Sequence, residues 1–310
     1  MYNRILVPLD GSELAEICLT YAVELAGKLD IDLTLFHVSG SATRSNLPMQ
    51  RAYIQHVANV TQKQARDIQK ETGMKPKGHL VKVQGELVEG FPADEILRYA
   101  EENSIDVILM ATHGHSGLRR WTIGSIAGKI LGASRIPVLL VHTGIEIETP
   151  FNAWPSKTLL VPLDGSELAE SVLPHVEAIA KQRGSVPVHV VLLRISERPV
   201  IPTYYGTDIS GPSIDWGNYA QQETVRRKKS AEKYLVEITK RLKESKINVT
   251  AKVIEGKAKD EIVTYANDHP YSIIVMASHG RSGLSRLVYG SVAANLLQGV
   301  SNPIFLIKPQ

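Results

Sequence analysis

An identical segment of eleven residues occurs twice in the chain. The segment, LVPLDGSELAE, covers residues 6–16 and again residues 160–170. Chance does not produce an identity of this length, so the segment marks an internal repeat, and the fold must consist of two copies of one structural unit. The length of 310 residues suits this, because a typical domain has about 150 residues.

A second pair of similar segments contains several glycines and ends on Gly-Ser. MATHGHSGLRRWTIGS covers residues 110–125, and MASHGRSGLSRLVYGS covers residues 276–291. The copies of this pair are further apart than the copies of the first, so the second unit carries an insertion. We place it at residues 196–221, which are rich in Pro, Gly, Ser and aromatic residues.

The boundary between the units falls in a segment with the composition of a linker. Residues 143–157 contain two prolines and several polar residues, so we predict one domain at residues 1–145 and a second at residues 156–310. Within each unit, short runs rich in Val, Ile and Leu alternate with helical patterns of apolar residues. In the first unit we expect strands near residues 5–9, 33–38, 79–83, 107–112 and 138–142.

This alternation predicts a doubly wound α/β fold with a parallel five-stranded sheet and helices on both faces. The strand order would be 3-2-1-4-5, as in Rossmann-like and flavodoxin-like proteins. In such sheets ligands bind beyond the carboxyl ends of the strands, where the winding direction reverses. Strands one and four meet at that point, so the PLDGS loop and the glycine-containing loop would form one crevice.

The two loops carry the chemistry that a nucleotide needs. Glycines let backbone N–H groups converge on a phosphate, and a helix that begins at Gly124-Ser125 adds amides and a positive dipole end. Asp10 could accept hydrogen bonds from ribose hydroxyls. Alternatively, the glycines serve turn geometry alone, and Asp10 with Glu13 forms a helix N-terminal capping box. The presence of both loops in both units favours a nucleotide.

These residues resemble the nucleotide motif of the universal stress protein family, and the resemblance covers nearly the whole chain. The motif is Gly, two residues, Gly, nine residues, Gly, then Ser or Thr. The matching residues are Gly114, Gly124 and Ser125 in the first unit and Gly280, Gly290 and Ser291 in the second. Ala111 and Ala277 replace the first glycine of the motif. The added methyl group is harmless where that residue keeps a negative φ, and costly where φ is positive or where the backbone must touch the ligand closely.

The resemblance implies a tandem member of the family that binds ATP, AMP or ADP, with or without Mg²⁺ carried by the phosphates. The implied contacts are Pro8, Asp10, Val38, Met110, Ser125 and Ile126 in the first unit and Pro162, Asp164, Ile195, Met276, Ser291 and Val292 in the second. It also implies that the units pack about a pseudo-twofold axis, that a further homodimer is open, and that the role is stress response or signalling with at most slow ATP hydrolysis. A nucleotide-free dimerisation or interaction module of the same fold is the alternative.

The second site is expected to differ from the first. Arg194 stands where the first unit has His37, just before an implied adenine contact, and the insertion begins there. The insertion is either a lid over the nucleotide or a plain surface loop. The second interpretation is favoured.

The sequence gives little support for an enzyme, a metalloprotein, a nucleic-acid-binding protein or a membrane protein. We expect no catalytic residue, because the chain lacks a Walker A lysine loop and a GxSxG elbow. We expect no protein metal site, since no Asp, Glu or Cys stands at ligand spacing from His113, His115 or His279. The net charge of +3 gives no reason to expect nucleic acid, and no apolar run approaches a membrane span. Cys18 is expected to be a buried thiol, and the chain to be cytoplasmic.

Overall fold

The structure is a computed structural model, and it describes most of the chain. The described residues are 1–40, 46–71, 80–113, 123–142, 157–182, 188–200, 216–278 and 289–309. The strands in them are β1 (Arg4–Pro8), β2 (Asp32–Ser39), β3 (Val83–Glu89), β4 (Val107–Ala111), β5 (Val138–Val141), β6 (Lys157–Pro162), β7 (Val188–Ser196), β8 (Asn248–Glu255), β9 (Ser272–Ala277) and β10 (Ile304–Ile307). The helices are α1 (Glu13–Leu29), α2 (Leu47–Glu71), α3 (Pro92–Glu102), α4 (Ser125–Ala133), α5 (Glu167–Glu170), α6 (Leu173–Gln182), α7 (Trp216–Glu244), α8 (Ala258–Asn267) and α9 (Ser291–Gly299).

The strands form one sheet in the order β3-β2-β1-β4-β5-β10-β9-β6-β7-β8. Neighbouring strands within each unit are parallel, and β5 and β10 pair antiparallel across the middle of the sheet. Each half therefore has the order 3-2-1-4-5, which confirms the predicted doubly wound α/β fold. Strand one lies beside strand four in both units, as β1 beside β4 and β6 beside β9.

Two apolar clusters cover the two faces of the sheet. Side chains alternate along a strand, so Ile5 and Val7 point into one cluster and Leu6 into the other. The first cluster packs against α1, α2, α6 and α7, and the second against α3, α4, α8 and α9. Cys18 is fully buried in the first cluster, as predicted, and burial raises the pKa of its thiol.

The third strand is not where the sequence pattern placed it. The strand expected at residues 79–83 is wrong, because β3 begins at Val83 and ends at Glu89. No residue of β3 is fully buried, so β3 has little apolar patterning. The apolar run just before it gave the stronger strand pattern. The backbone of β3 also lies close to α2, since a Cβ on Gly85 would be 2.7 Å from the carbonyl oxygen of Ile54.

The helix beginnings follow local sequence rules. Ser12 is the N-cap of α1, and its hydroxyl accepts a hydrogen bond from the N–H of Ala15. The capping residue is therefore Ser12, and the capping box built on Asp10 is wrong. Pro92 occupies the first turn of α3, where its missing N–H costs no helical hydrogen bond.

The predicted insertion at residues 196–221 does not form one loop. Its first residue, Ser196, ends β7, and residues 216–221 belong to α7, while residues 201–215 lie outside the described residues. The predicted linker also lies outside the described residues, apart from Lys157 at the start of β6. The predicted domain limits therefore stay predictions.

Candidate functional site

The turn after β1 holds Asp10 in a fixed position at the crevice. Its Oδ1 accepts hydrogen bonds from the backbone N–H of Ser12, at 3.0 Å, and from the Ser12 hydroxyl, at 2.6 Å. Gly11 between them has a φ of +83°, a conformation that residues with a Cβ rarely adopt. One carboxylate oxygen of Asp10 thus orders the turn, while the side chain borders the crevice.

The facing wall of the crevice is the beginning of α4. Gly124 is the N-cap of α4. It has no side chain that could accept a hydrogen bond from the first turn, in contrast to Ser12 at α1. The Gly124 N–H donates to the carbonyl oxygen of Thr112 at 2.8 Å, and a Cβ on Gly124 would be 3.1 Å from that oxygen. The glycine therefore allows the helix to start close to the end of β4, with the positive end of its dipole towards the crevice.

The described walls of the crevice enclose a cavity of about 220 Å³. All the described residues that sequence analysis assigned to the first site line it: Pro8, Asp10, Val38, Met110, Ala111, Gly124, Ser125 and Ile126. The volume is somewhat below the usual range for small-molecule sites, about 300 to 1,000 Å³. Residues 114–122 lie outside the described residues, and with them the motif residue Gly114.

The second unit repeats this arrangement closely. Its cavity has a volume of about 260 Å³ and is lined by Pro162, Asp164, Ile195, Met276, Ala277, Gly290, Ser291 and Val292. Asp164 accepts from the N–H and hydroxyl of Ser166 at 2.9 and 2.6 Å, and Gly290 is the N-cap of α9. Gly280 lies outside the described residues.

The alanines that replace the first motif glycine do not strain the backbone. Among the described residues, positive φ at non-glycine positions occurs at Asp30, Ser104 and Lys246, not at Ala111 or Ala277. Both alanines end a strand, β4 and β9 respectively. The replacement therefore does not strain the backbone, while both alanine side chains border the cavities.

Burial lowers the pKa values of two neighbouring histidines, one of which lines the first cavity. Burial lowers the pKa of His113, which lines the cavity. Burial, and secondly the charge of His113, lower the pKa of His142 to about 4. The His142 ring is therefore uncharged at neutral pH, and burial favours the uncharged form of His113. His115 and His279 lie outside the described residues.

The sequence did not identify the apolar side of the first cavity. Phe36 from β2 and Pro92 and Ile96 from α3 line it together with the predicted residues. The Phe36 ring also packs on the Tyr99 ring, with centroids 4.6 Å apart. The place of Phe36, Pro92 and Ile96 at the crevice follows from the packing of α3 on the sheet, which the sequence pattern does not give.

The second unit has an additional cavity of about 810 Å³ beside its site. The two cavities share Asp164, Ile195, Ala258 and Val292. The lining of the additional cavity also includes the charged residues Arg194, Glu197, Glu223, Arg226 and Arg227. The third and fourth turns of α7 thus contribute charged side chains next to the second site.

Comparisons with known proteins agree with this architecture. The sequence model of the universal stress protein family matches residues 1–142 and again residues 155–308. The chain belongs to the universal stress protein family. Proteins of this family are generally stress-response binding proteins.

Similar universal stress proteins cover either one unit or the whole chain. A universal stress protein of Mycolicibacterium smegmatis is 24% identical, and the match covers 99% of this chain and 97% of that protein. YxiE of Bacillus subtilis is 31% identical over 46% of this chain and 100% of its own length. The crystal structure of an Archaeoglobus fulgidus universal stress protein covers 99% of both chains, with 18% identity and a TM-score of 0.60, which supports the fold.

In the part of the chain that the structure describes, no helix has the length and apolar character needed to cross a membrane. Within the same residues, no three His, Cys, Asp or Glu side chains come together as a metal site would require.

Proposed function

We propose that this universal stress protein binds an adenine nucleotide, ATP or AMP or ADP, in the crevice of each unit. The observation that carries the proposal is the convergence of the assigned residues on one cavity in each unit, opposite a helix that begins on glycine. Asp10 and Asp164 would accept hydrogen bonds from the ribose hydroxyls. The N-terminal turns of α4 and α9 would bind the phosphates through backbone N–H groups.

The base would lie against the apolar walls of the cavities. Val38 and Met110 line the first cavity beside Phe36, and the matching residues of the second are Ile195 and Met276. Cavities lined mainly by apolar side chains, with a few well-placed polar groups, are typical of small-molecule sites. The two polar ends and the apolar middle therefore suit a nucleoside phosphate.

The proposed role is regulation by binding in stress response or signalling, with at most slow ATP hydrolysis. Any Mg²⁺ would be held by the nucleotide phosphates rather than by a set of protein ligands. The antiparallel ladder of β5 and β10 supports pairing of the two units about a pseudo-twofold axis within one chain. A further homodimer and a cytoplasmic location belong to the same proposal.

The first experiment identifies any nucleotide that accompanies the purified protein. Denaturation releases bound small molecules, which chromatography and mass spectrometry identify, and calorimetric titration with ATP and Mg²⁺ measures affinity. We expect saturable binding. No released nucleotide together with no heat of binding would instead favour the nucleotide-free interaction module.

A matched pair of variants tests the phosphate end of the first site. A side chain at position 124 would crowd the Thr112 carbonyl oxygen and project at the start of α4, so Gly124→Val should weaken binding at this site at least tenfold. The control is Gly128→Ala in the same helix, where a Cβ has its nearest contact at 4.0 Å, from Ile123. Equal affinities of the two variants at the first site would contradict the assigned phosphate position.

A further inference from the structure

Arg194 and His37 occupy matching positions in the two units, but their surroundings differ. Each precedes the strand residue that lines its cavity, Val38 or Ile195. The His37 ring contacts the residue that follows β1, with Nδ1 2.8 Å from the carbonyl oxygen of Leu9. Arg194 instead extends over the ring of Tyr234, with its Cζ 4.6 Å from the ring centroid.

The Arg194 guanidinium lies over the turn that positions Asp164. A Cβ on Gly165 would be 3.0 Å from Cζ of Arg194, whereas a Cβ on the matching Gly11 would have nothing within 4 Å. Gly165 has a φ of +79°, similar to Gly11, so the two turns have similar backbones. The difference is that a guanidinium covers the turn in the second unit.

Two more guanidinium groups border the same space. Arg226 and Arg227 line the additional cavity with Arg194, and both pair with Glu223, through N···O distances of 2.8 and 2.9 Å. An arginine has five N–H donors, so one shared carboxylate leaves donors on Arg226 and Arg227.

The carboxylates at this cavity already have donors of their own. Glu197 accepts from the N–H of Ala258 at 3.0 Å, and Asp164 accepts from Ser166. Glu223 is held by the two arginines of α7. The formal charges of the residues that line the additional cavity sum to zero. Its selectivity for a ligand must therefore come from directed hydrogen bonds and not from a net positive charge.

The position of the three arginines determines which part of a nucleotide they would contact. β6 lies between β9 and β7, so the Asp164 turn follows a strand that lies between the strand leading to α9 and the strand that carries Arg194. The ends of β9 and β7 are two strand spacings apart, about 10 Å. A nucleotide with its 5′-phosphate at α9 and its ribose at Asp164 would thus present the ribose hydroxyl edge to Arg194. In dinucleotide sites an arginine beside the ribose accommodates a phosphate at that position.

We infer that the second site, provided that the proposed nucleotide binding holds, takes an adenine nucleotide with an additional phosphate on the 2′ or 3′ oxygen of the ribose. Arg194 binds that phosphate, and Arg226 and Arg227 complete its surroundings. The first site has His37 at this position and takes nucleotides with free ribose hydroxyls.

Methyl NMR of the full chain can read the two sites separately. The protein has five methionines, of which Met110 lines the first cavity and Met276 the second. Methyl-¹³C methionine labelling gives one signal for each, assigned by Met110→Leu and Met276→Leu. The titrants are AMP, ADP, adenosine 2′,5′-bisphosphate and adenosine 3′,5′-bisphosphate.

We expect Met276 to respond to one of the bisphosphates at a concentration at least tenfold lower than to AMP or ADP. Met110 should show less than a threefold preference. ADP controls for charge, because it carries its second phosphate on the 5′ side. Arg194→His, which introduces the residue of the first unit, should remove the preference at Met276, and Arg198→His, outside the described cavity lining, should keep it.

The outcomes separate the two proposals. If neither methionine responds to any titrant, nucleotide binding itself is refuted. If Met276 responds to AMP, ADP and both bisphosphates alike, or keeps its preference in Arg194→His, the ribose phosphate assignment is overturned while the proposed function stands.

Discussion

Gly27 lies where α1 packs against α2, and the replacement Gly27→Ala tests that packing directly. A Cβ at this position would be 2.7 Å from the carbonyl oxygen of Ala65 and 2.8 Å from Cβ of Ile68. The first of these atoms belongs to helix backbone, so it cannot turn aside as a side chain would. Relief requires the two helices to move apart.

Two opposing effects decide the magnitude. Overpacking of a buried contact costs about 1 to 3 kcal/mol. Replacement of glycine by alanine within a helix contributes about 1 kcal/mol of stabilisation. The expected net effect of Gly27→Ala is a destabilisation of up to about 2 kcal/mol. Gly128→Ala in α4 has the helix benefit without the crowding, since the nearest atom is 4.0 Å away, and should stabilise by about 0.5 to 1 kcal/mol.

Urea unfolding followed by far-UV circular dichroism measures both variants against the unmodified protein. The two units can unfold in separate steps, so the midpoint of each resolved transition is compared. Opposite signs for Gly27→Ala and Gly128→Ala are expected. A Gly27→Ala variant as stable as Gly128→Ala would refute the close approach of α1 and α2.

Two further predictions concern protonation and capping. The pKa of His142 falls from 6.5 to about 4 in the folded protein, so its contribution to stability is complete above pH 6.5 and is lost as the pH falls towards 4. His142→Leu should remove about 3 kcal/mol of that pH dependence, and a stability difference between variant and parent that stays constant from pH 7 to pH 4 would contradict it. Ser12→Ala and Ser166→Ala each remove an N-cap hydrogen bond of 3.2 Å and should each cost about 1 kcal/mol in urea unfolding. A clearly unequal loss would show that the two turns differ in energy despite their similar geometry.

Most of the fold was predictable because the repeats fixed it at two independent points. The identical segment after β1 and the glycine-containing segment after β4 both had to lie at the same edge of the sheet, and this determined the order of the strands. The third strand could not be placed in this way. Val83–Glu89 is an edge strand without a fully buried residue, so apolar patterning has little to detect there.

The site residues that follow strands directly were predictable from the sequence. The site residues whose place depends on helix packing were much less so. Asp10 and Gly124 follow strands directly, so strand order alone brings them together. Ile96 reaches the same cavity from α3, and its place depends on how that helix packs on the sheet. The beginning of α7 was also missed, because residues 216–221 continue a composition that is typical of loops.

The two sites share a turn so similar that any difference in ligand must come from its surroundings. Oδ1 of Asp10 and Oδ1 of Asp164 hold their serines at distances that agree within 0.1 Å, and both turns contain a glycine with φ near +80°. A carboxylate fixed by two local hydrogen bonds is oriented before a ligand arrives, which reduces the entropic cost of binding. The shared turn therefore supports the proposal that both units bind a ribose. The exchange of His37 for Arg194 beside it is the difference on which the proposed ribose phosphate rests, since His37 contacts the carbonyl oxygen of Leu9 after β1 and Arg194 extends over the turn.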